Sequence, residues 1–148
     1  MHTYTKIIYH VMFHTKNNRK TINKEWRENL QKYIFGILDN NKCFCYQIGG
    51  TEDHIHLAFA LHPTVSLANL IHNVKISSSR YIKSELLSRH FESWQSGYAA
   101  ITHSQDSLKT LIEYISNQEK HHMKEDSKKE YIRHLKNANI DYNDRYLF

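Results

Sequence analysis

Residues 43–61 read CFCYQIGGTEDHIHLAFAL, and the fold turns on how this stretch is divided. Cys43 to Ile48 and His54 to Leu61 are rich in β-branched, aromatic and apolar residues, as strands are. Gly49-Gly50-Thr51-Glu52-Asp53 separates them as a turn, and Pro63 closes the second strand. The stretch is thus a hairpin. Within its second strand Ile55 and Leu57 point to one face, and His54 and His56 to the other.

Working outward, Thr5 to His14 is a strand with Ile7, Tyr9, Val11 and Phe13 on one face and Ile8, His10, Met12 and His14 on the other. Lys16-Asn17-Asn18-Arg19-Lys20 is a basic loop. A helix follows, with Asn23 as N-cap and Trp26, Leu30, Ile34 and Ile37 at helical spacing; Asp39-Asn40-Asn41 ends it. After the hairpin, Ser66 caps a long helix striped by Leu67, Leu70, Ile71, Val74, Tyr81 and Ile82. Tyr98 to Thr102 forms a fourth strand. Ser107 caps a helix of about residues 107–123 with Leu108, Leu111, Ile112 and Ile115 on its core face. Ser127-Lys128-Lys129-Glu130 has the capping-box pattern and starts a short last helix. The tail to Phe148 is aromatic enough to pack on the body of the protein.

The order β-α-β-β-α-β-α-α predicts an α+β fold. Its first six elements match the ferredoxin-like arrangement, a four-stranded antiparallel sheet with two helices on one face, here followed by C-terminal helices. Such a sheet leaves its other face available. The 148 residues make one domain, residues 1–148, with a C-terminal helix and tail over about 127–148. No run reaches the length of a membrane span, and the start, MHTYTKIIYH, lacks the pattern of a secretion signal, so a cytoplasmic protein with no membrane partner is expected. Cys43 and Cys45 are too poorly placed for a disulfide and too few for a zinc site; they read as half-buried strand residues. The net charge of +5 permits a nucleic-acid partner without requiring one.

Two constellations carry chemistry. His54 and His56 project together from one strand, and two such imidazoles can hold a divalent metal. Asp53 can bond a histidine ring nitrogen from behind, or serve the turn. In most proteins an H-x-H of this kind is only a polar strand face. Tyr114 lies about 120° from the centre of its helix's apolar stripe, with Gln118 and His121 beside it. A tyrosine there is ordinarily a boundary residue with a wet hydroxyl.

Taken together, the two resemble the single-tyrosine HUH transposases, the TnpA type encoded by the smallest bacterial insertion sequences. The matching residues are Asp53-His54-Ile55-His56, the Tyr114-Ile-Ser-Asn-Gln118 run followed by Glu-Lys-His-His, Lys75 to Arg80, Trp94 to Tyr98, and the tail Ile140 to Phe148. The resemblance spans nearly the whole chain. It implies a DNA transposase that cleaves and rejoins single-stranded DNA at hairpin-flanked sites through a 5′-phosphotyrosine intermediate. Tyr114 would be the nucleophile. His54, His56 and Gln118 would hold Mg²⁺ or Mn²⁺, and the metal or basic surroundings would favour the phenolate. Single-stranded or hairpin DNA would be the partner, contacted by Lys16, Arg19, Lys20, Lys75, Arg80 and Lys83. Asp53 and His121 would support the metal ligands, with His122 either doing likewise or meeting DNA. A homodimer is implied as well. The alternative is a domesticated relative, or a non-catalytic domain that recognises palindromic hairpin DNA.

Overall fold

The computed structural model describes residues 2–148. Four strands form one antiparallel sheet: β1 (Ile8–His14), β2 (Phe44–Gly50), β3 (His54–Ala60) and β4 (Ala99–His103). Their order is β2-β3-β1-β4, the ferredoxin-like arrangement the sequence predicts. Helices α1 (Lys24–Asn40) and α2 (Leu67–Ser84) cover one face. Strand alternation builds the core there. Val11 and Phe13 of β1, with Ile55, Leu57 and Phe59 of β3, meet Trp26, Leu30, Ile34 and Leu38 of α1 and Leu70, Ile71, Val74 and Ile82 of α2. Ser78 sits in the α2 stripe because its hydroxyl donates to Val74 O (2.6 Å) and accepts from Trp94 Nε1 (3.0 Å), so neither polar atom is stranded.

The opposite face, expected to be available, is covered. Helix α3 (Leu108–Ser116) sets Leu108, Leu111 and Ile115 on Ile8 and Ala58. Helix α5 (Ser127–Asn137) sets Tyr131 and Leu135 on Met12 and Ala99, and the tail adds Tyr142, Leu147 and Phe148. Met12 is fully buried and can only stay dry under such a cover.

Three local expectations are corrected. Gly49 and Gly50 are the last residues of β2 and not a turn. A Cβ on Gly49 would stand 2.2 Å from the Ile115 carbonyl oxygen, so glycine is what lets the end of α3 press onto the strand. The helix expected over about 107–123 breaks at Asn117 (φ −102°, ψ 22°) and resumes as α4 (Gln118–His121). The cap of α5 is Asp126, whose side chain accepts from Lys129 N, and neither Ser127 nor Glu130 serves as a capping residue. Cys43 and Cys45 are unbridged. Among the described residues, no helix is long and apolar enough to cross a membrane.

Candidate active site

Strand alternation places His10 and His14 of β1 on the same face as His54 and His56 of β3. In the β1–β3 register His14 lies opposite His54, and Met12 opposite His56. All four imidazoles are buried. Their rings stack across the strands, His10 on His56 at 5.0 Å and His14 on His54 at 5.5 Å between centroids. Burial makes the charged form of each costly, so His10 is lowered to about 2, His14 to about 3 and His56 to about 4. Neighbouring imidazoles push the same way, while Glu130 partly restores the charged form.

The carboxylate of Asp53 fixes the tautomer of His54. Asp53 Oδ1 lies 2.7 Å from His54 Nδ1, and Ser127 donates to Asp53 Oδ2 at 3.0 Å. Burial alone would raise the Asp53 carboxyl, but the hydrogen bonds and charge of its partners hold it below its ordinary value. A ring proton held on Nδ1 would leave Nε2 free to ligate an ion. Nε2 faces two oxygens, Gln118 Oε1 at 2.9 Å and Glu130 Oε1 at 3.4 Å.

Two further groups converge on the same spot. His56 Nε2 is 2.9 Å from Glu130 Oε1, and His122 Nε2 is 3.1 Å from that oxygen and 2.9 Å from Gln118 Oε1. One donor atom from each of His54, His56, His122 and Glu130 lies within 4.8 Å of the others, a spread that fits ligands about 2.0–2.2 Å from one ion. The donor set thus fits a divalent metal. Gln118 is brought there by the break at Asn117; its amide donates to Tyr114 O at 3.4 Å and its carbonyl oxygen faces the imidazoles. From the other side, Arg27 donates to Glu119 at 2.9 Å and to Ile22 O at 3.0 Å, tying α4 to α1.

Glu130 joins the two constellations. Its Oε1 faces the imidazoles, and its Oε2 accepts a hydrogen bond from the Tyr114 hydroxyl. Burial would raise its carboxyl, yet hydrogen bonds from His122 and His56 and the nearby imidazole charges hold it far below the usual carboxylate range. The Tyr114 phenol oxygen also meets Arg133 Nη2 and His134 Nε2, each at 3.1 Å. Glu125 braces Arg133 through contacts of 3.1 to 3.3 Å. Burial first, and then the charge of Glu130, push the Tyr114 phenol well above its ordinary value; Arg133 opposes this only in part. The expected basic surroundings are therefore outweighed by a buried carboxylate that the sequence reading missed. His122 is raised, because its bonds to Glu130 outweigh its burial, while burial lowers His134 to about 4.

Of the residues singled out from sequence, His54, His56, Gln118, Tyr114 and Asp53 come together. His121 meets Glu125 at 2.7 Å and stands 3.7 Å from Glu130 Oε2, and His122 takes the position nearest Gln118. Among the described residues, none of the six basic candidates is hydrogen-bonded to the imidazole cluster. Lys16 pairs with exposed Glu92 at 3.0 Å, and the charges of Arg19 and Lys83 also act on Glu92. Lys75 and Arg80 line a groove beside that segment. Lys75 is not a free surface cation: its ammonium donates to Gln95 O (2.8 Å) and to Gly97 O, and burial lowers it to about 8. Lys20 borders a separate groove with Arg27 and His122.

A ferredoxin-like sheet bearing an HUH pair, with a tyrosine and a glutamine one helical turn apart above it, defines the class. The model of the family described as "Transposase IS200 like" matches residues 3–118. The chain belongs to this family. A candidate transposase from Deinococcus radiodurans shares the fold, with TM-score 0.64 and 22% identity over 80% of this chain and 95% of that one. A REP-associated tyrosine transposase solved bound to a REP hairpin aligns with TM-score 0.58 and 11% identity, covering 79% of this chain and 69% of that one. Among curated protein sequences, none matches.

Proposed function

We propose that this transposase cuts and rejoins single-stranded DNA at hairpin-flanked sites, with Tyr114 as nucleophile and a 5′-phosphotyrosine as intermediate. His54, His56 and Gln118 would hold the divalent metal, with Glu130 and His122 as further donors. A donor set this rich in nitrogen suits Mn²⁺ better than Mg²⁺. The observation that supports the reading most is the Glu130 carboxylate: one oxygen lies on the imidazoles and the other on the nucleophile. A phosphate has similar reach, so one phosphate can meet both halves of the site.

A divalent cation here would draw charge from a non-bridging phosphate oxygen and orient the phosphate for attack. The side chains do the rest. Glu130 Oε2 releases the Tyr114 hydroxyl as the phosphate enters. The phenol gives its proton to His134, its oxygen bonds to phosphorus, the bond from phosphorus to the 3′ oxygen breaks, and that oxygen takes up a proton, so the strand leaves with a free 3′-OH. Arg133, 3.1 Å from the phenol oxygen, offsets the charge developing there, and His134, kept uncharged by burial, is a proton acceptor within reach. Attack of a 3′-OH on the phosphotyrosine reverses these steps and regenerates Tyr114. The bond energy is conserved, so no nucleotide is consumed.

Five of the six basic candidates, Lys16, Arg19, Lys75, Arg80 and Lys83, gather about Glu92 and the neighbouring groove, and we assign the DNA strand to this side. Hairpin DNA as the partner follows the REP-bound neighbour. Within one chain the Tyr114 hydroxyl meets Glu130, whose other oxygen meets the imidazoles, and this supports a tyrosine that serves its own histidines; the homodimer would pair two such sites through the open edges of the sheet. Its DNA would be met in the cytoplasm. Incubation with single-stranded DNA from the gene's own flanks and Mn²⁺ should yield a covalent protein–DNA band on a denaturing gel. Tyr114→Phe should lose the band and keep hairpin binding; a band from that variant would refute the assignment.

A further inference from the structure

Beside Tyr114 the structure holds a cavity of about 360 Å³. Its walls include His10, His103, Asp106, Thr110, Tyr114 and His134. Four of these are aromatic rings. His10 stands edge-on to His134 (5.2 Å, 87°) and to Tyr114 (6.3 Å, 89°), and is tilted against His103 (5.8 Å, 57°). The volume lies within the range of small-molecule sites, about 300–1,000 Å³, and exceeds what a lone phosphate fills. No lysine or arginine lines it, and the one formal charge is the carboxylate of Asp106, which forms no ion pair among the described residues. A phosphate would be repelled there. A planar, uncharged ring would stack on the imidazoles, and the carboxylate would accept hydrogen bonds from its edge.

We propose that this cavity seats the nucleobase next to the phosphate attacked by Tyr114, and that Asp106 selects a base bearing an exocyclic amino group. The proposal rests on Tyr114 being the nucleophile, because Tyr114 lines the cavity and the nucleotide it attacks is the one that can enter. A carboxylate accepts from the amino group of cytosine, adenine or guanine, and thymine, alone of the four, has no amino group and offers carbonyl oxygens and a methyl group. Specificity at the cleavage point would then be read in part by the protein.

The test needs no turnover. The histidine ring signals of the full chain are followed by NMR while deoxycytidine, deoxyadenosine, thymidine or inorganic phosphate is added. Deoxycytidine and deoxyadenosine should shift the His103 and His134 signals with an affinity about tenfold above that of thymidine. Phosphate should leave both signals in place. Asp106→Asn, a change at an exposed position, should bring the nucleosides to parity. Thr110→Trp, also at an exposed position, should block all of them. The proposal is overturned if thymidine binds as well as deoxycytidine, if no nucleoside moves these signals, or if phosphate moves them as far. A chain that binds deoxycytidine but forms no DNA adduct keeps the cavity and loses Tyr114 as nucleophile. A chain that forms the adduct while its signals stay fixed loses the cavity.

Discussion

Replacing Gly49 with alanine should dislodge the helix that carries Tyr114. The new Cβ would stand 2.2 Å from the Ile115 carbonyl oxygen and 2.8 Å from Ile115 Cγ2. The first is more than 1 Å short of a comfortable contact of roughly 3.5 Å. The first of these atoms is backbone, so no rotamer change relieves it, and α3 must back away from β2. Leu108, Leu111 and Ile115 then lose contact with Ile8 and Ala58. Overpacking of this kind costs about 1–3 kcal/mol. For a domain of this size, that lowers Tm by roughly 2–12 °C. Gly36, in the middle of α1, is the control. A Cβ there meets nothing within 4 Å, and alanine should stabilise the helix by about 0.5–1 kcal/mol. Urea unfolding followed by the fluorescence of Trp26 and Trp94 measures both. The two substitutions should move the midpoint in opposite directions, and Gly49→Ala should also lose about 100-fold in strand cleavage as Tyr114 shifts by about 1 Å. A Gly49→Ala protein of unchanged midpoint would refute the close approach of α3.

Acid should destabilise the metal-free protein well before its carboxylates titrate. His10, His14, His56 and His134 all sit at about 4 or below when folded, so the unfolded chain takes up protons first as pH falls below about 6.5. Each contributes up to about 1.4 kcal/mol per pH unit, with raised His122 opposing them and lowered Asp53 and Glu130 adding further loss near pH 4; a urea midpoint in chelator that holds steady from pH 7 to 5 would contradict this. Asp53→Asn should weaken Mn²⁺ binding about 10–100-fold by releasing the His54 tautomer, as read by calorimetry; unchanged affinity would remove Asp53 from the metal site. Glu130→Gln should move the Tyr114 phenol back toward its ordinary value, followed by NMR of labelled tyrosine, and a phenol that stays put would mean that Glu130 does not set it. Mixing Tyr114→Phe with a His54→Ala, His56→Ala double variant should restore no cleavage if each chain uses its own tyrosine, whereas recovered cleavage would show exchange between subunits.

Alternation along residues 54–61 was enough to place His54 and His56 opposite the core, because a strand's period of two leaves no choice once one face is apolar. Tyr114 was legible as the flank of an amphipathic helix from its period of 3.6, whereas the break at Asn117 that sets Gln118 was not. Glu130 was hidden behind a local pattern. Ser127 and Glu130 have the spacing of a capping box, but Asp126 takes the cap and frees both for long-range partners, Asp53 and the imidazoles. Gly49 and Gly50 read as turn residues because glycine favours turns; the reason for Gly49 is a helix 66 residues away in sequence, at Ile115. His10 and His14 could be assigned a face, but only the pairing of β1 with β3 brings them onto His56 and His54. Lys75 reads as a phosphate contact, but that its ammonium also donates to the carbonyls of Gln95 and Gly97 depends on the fold and was not legible in the sequence.

The central claim is that one phenol and one imidazole pair act on the same phosphate. Protease digestion of the DNA-linked protein, followed by mass spectrometry, locates the attached nucleotide. The linkage should map to Tyr114, require a divalent cation, and vanish in the His54→Ala, His56→Ala variant. A linkage on another tyrosine, or one that persists undiminished without both histidines, would contradict the account.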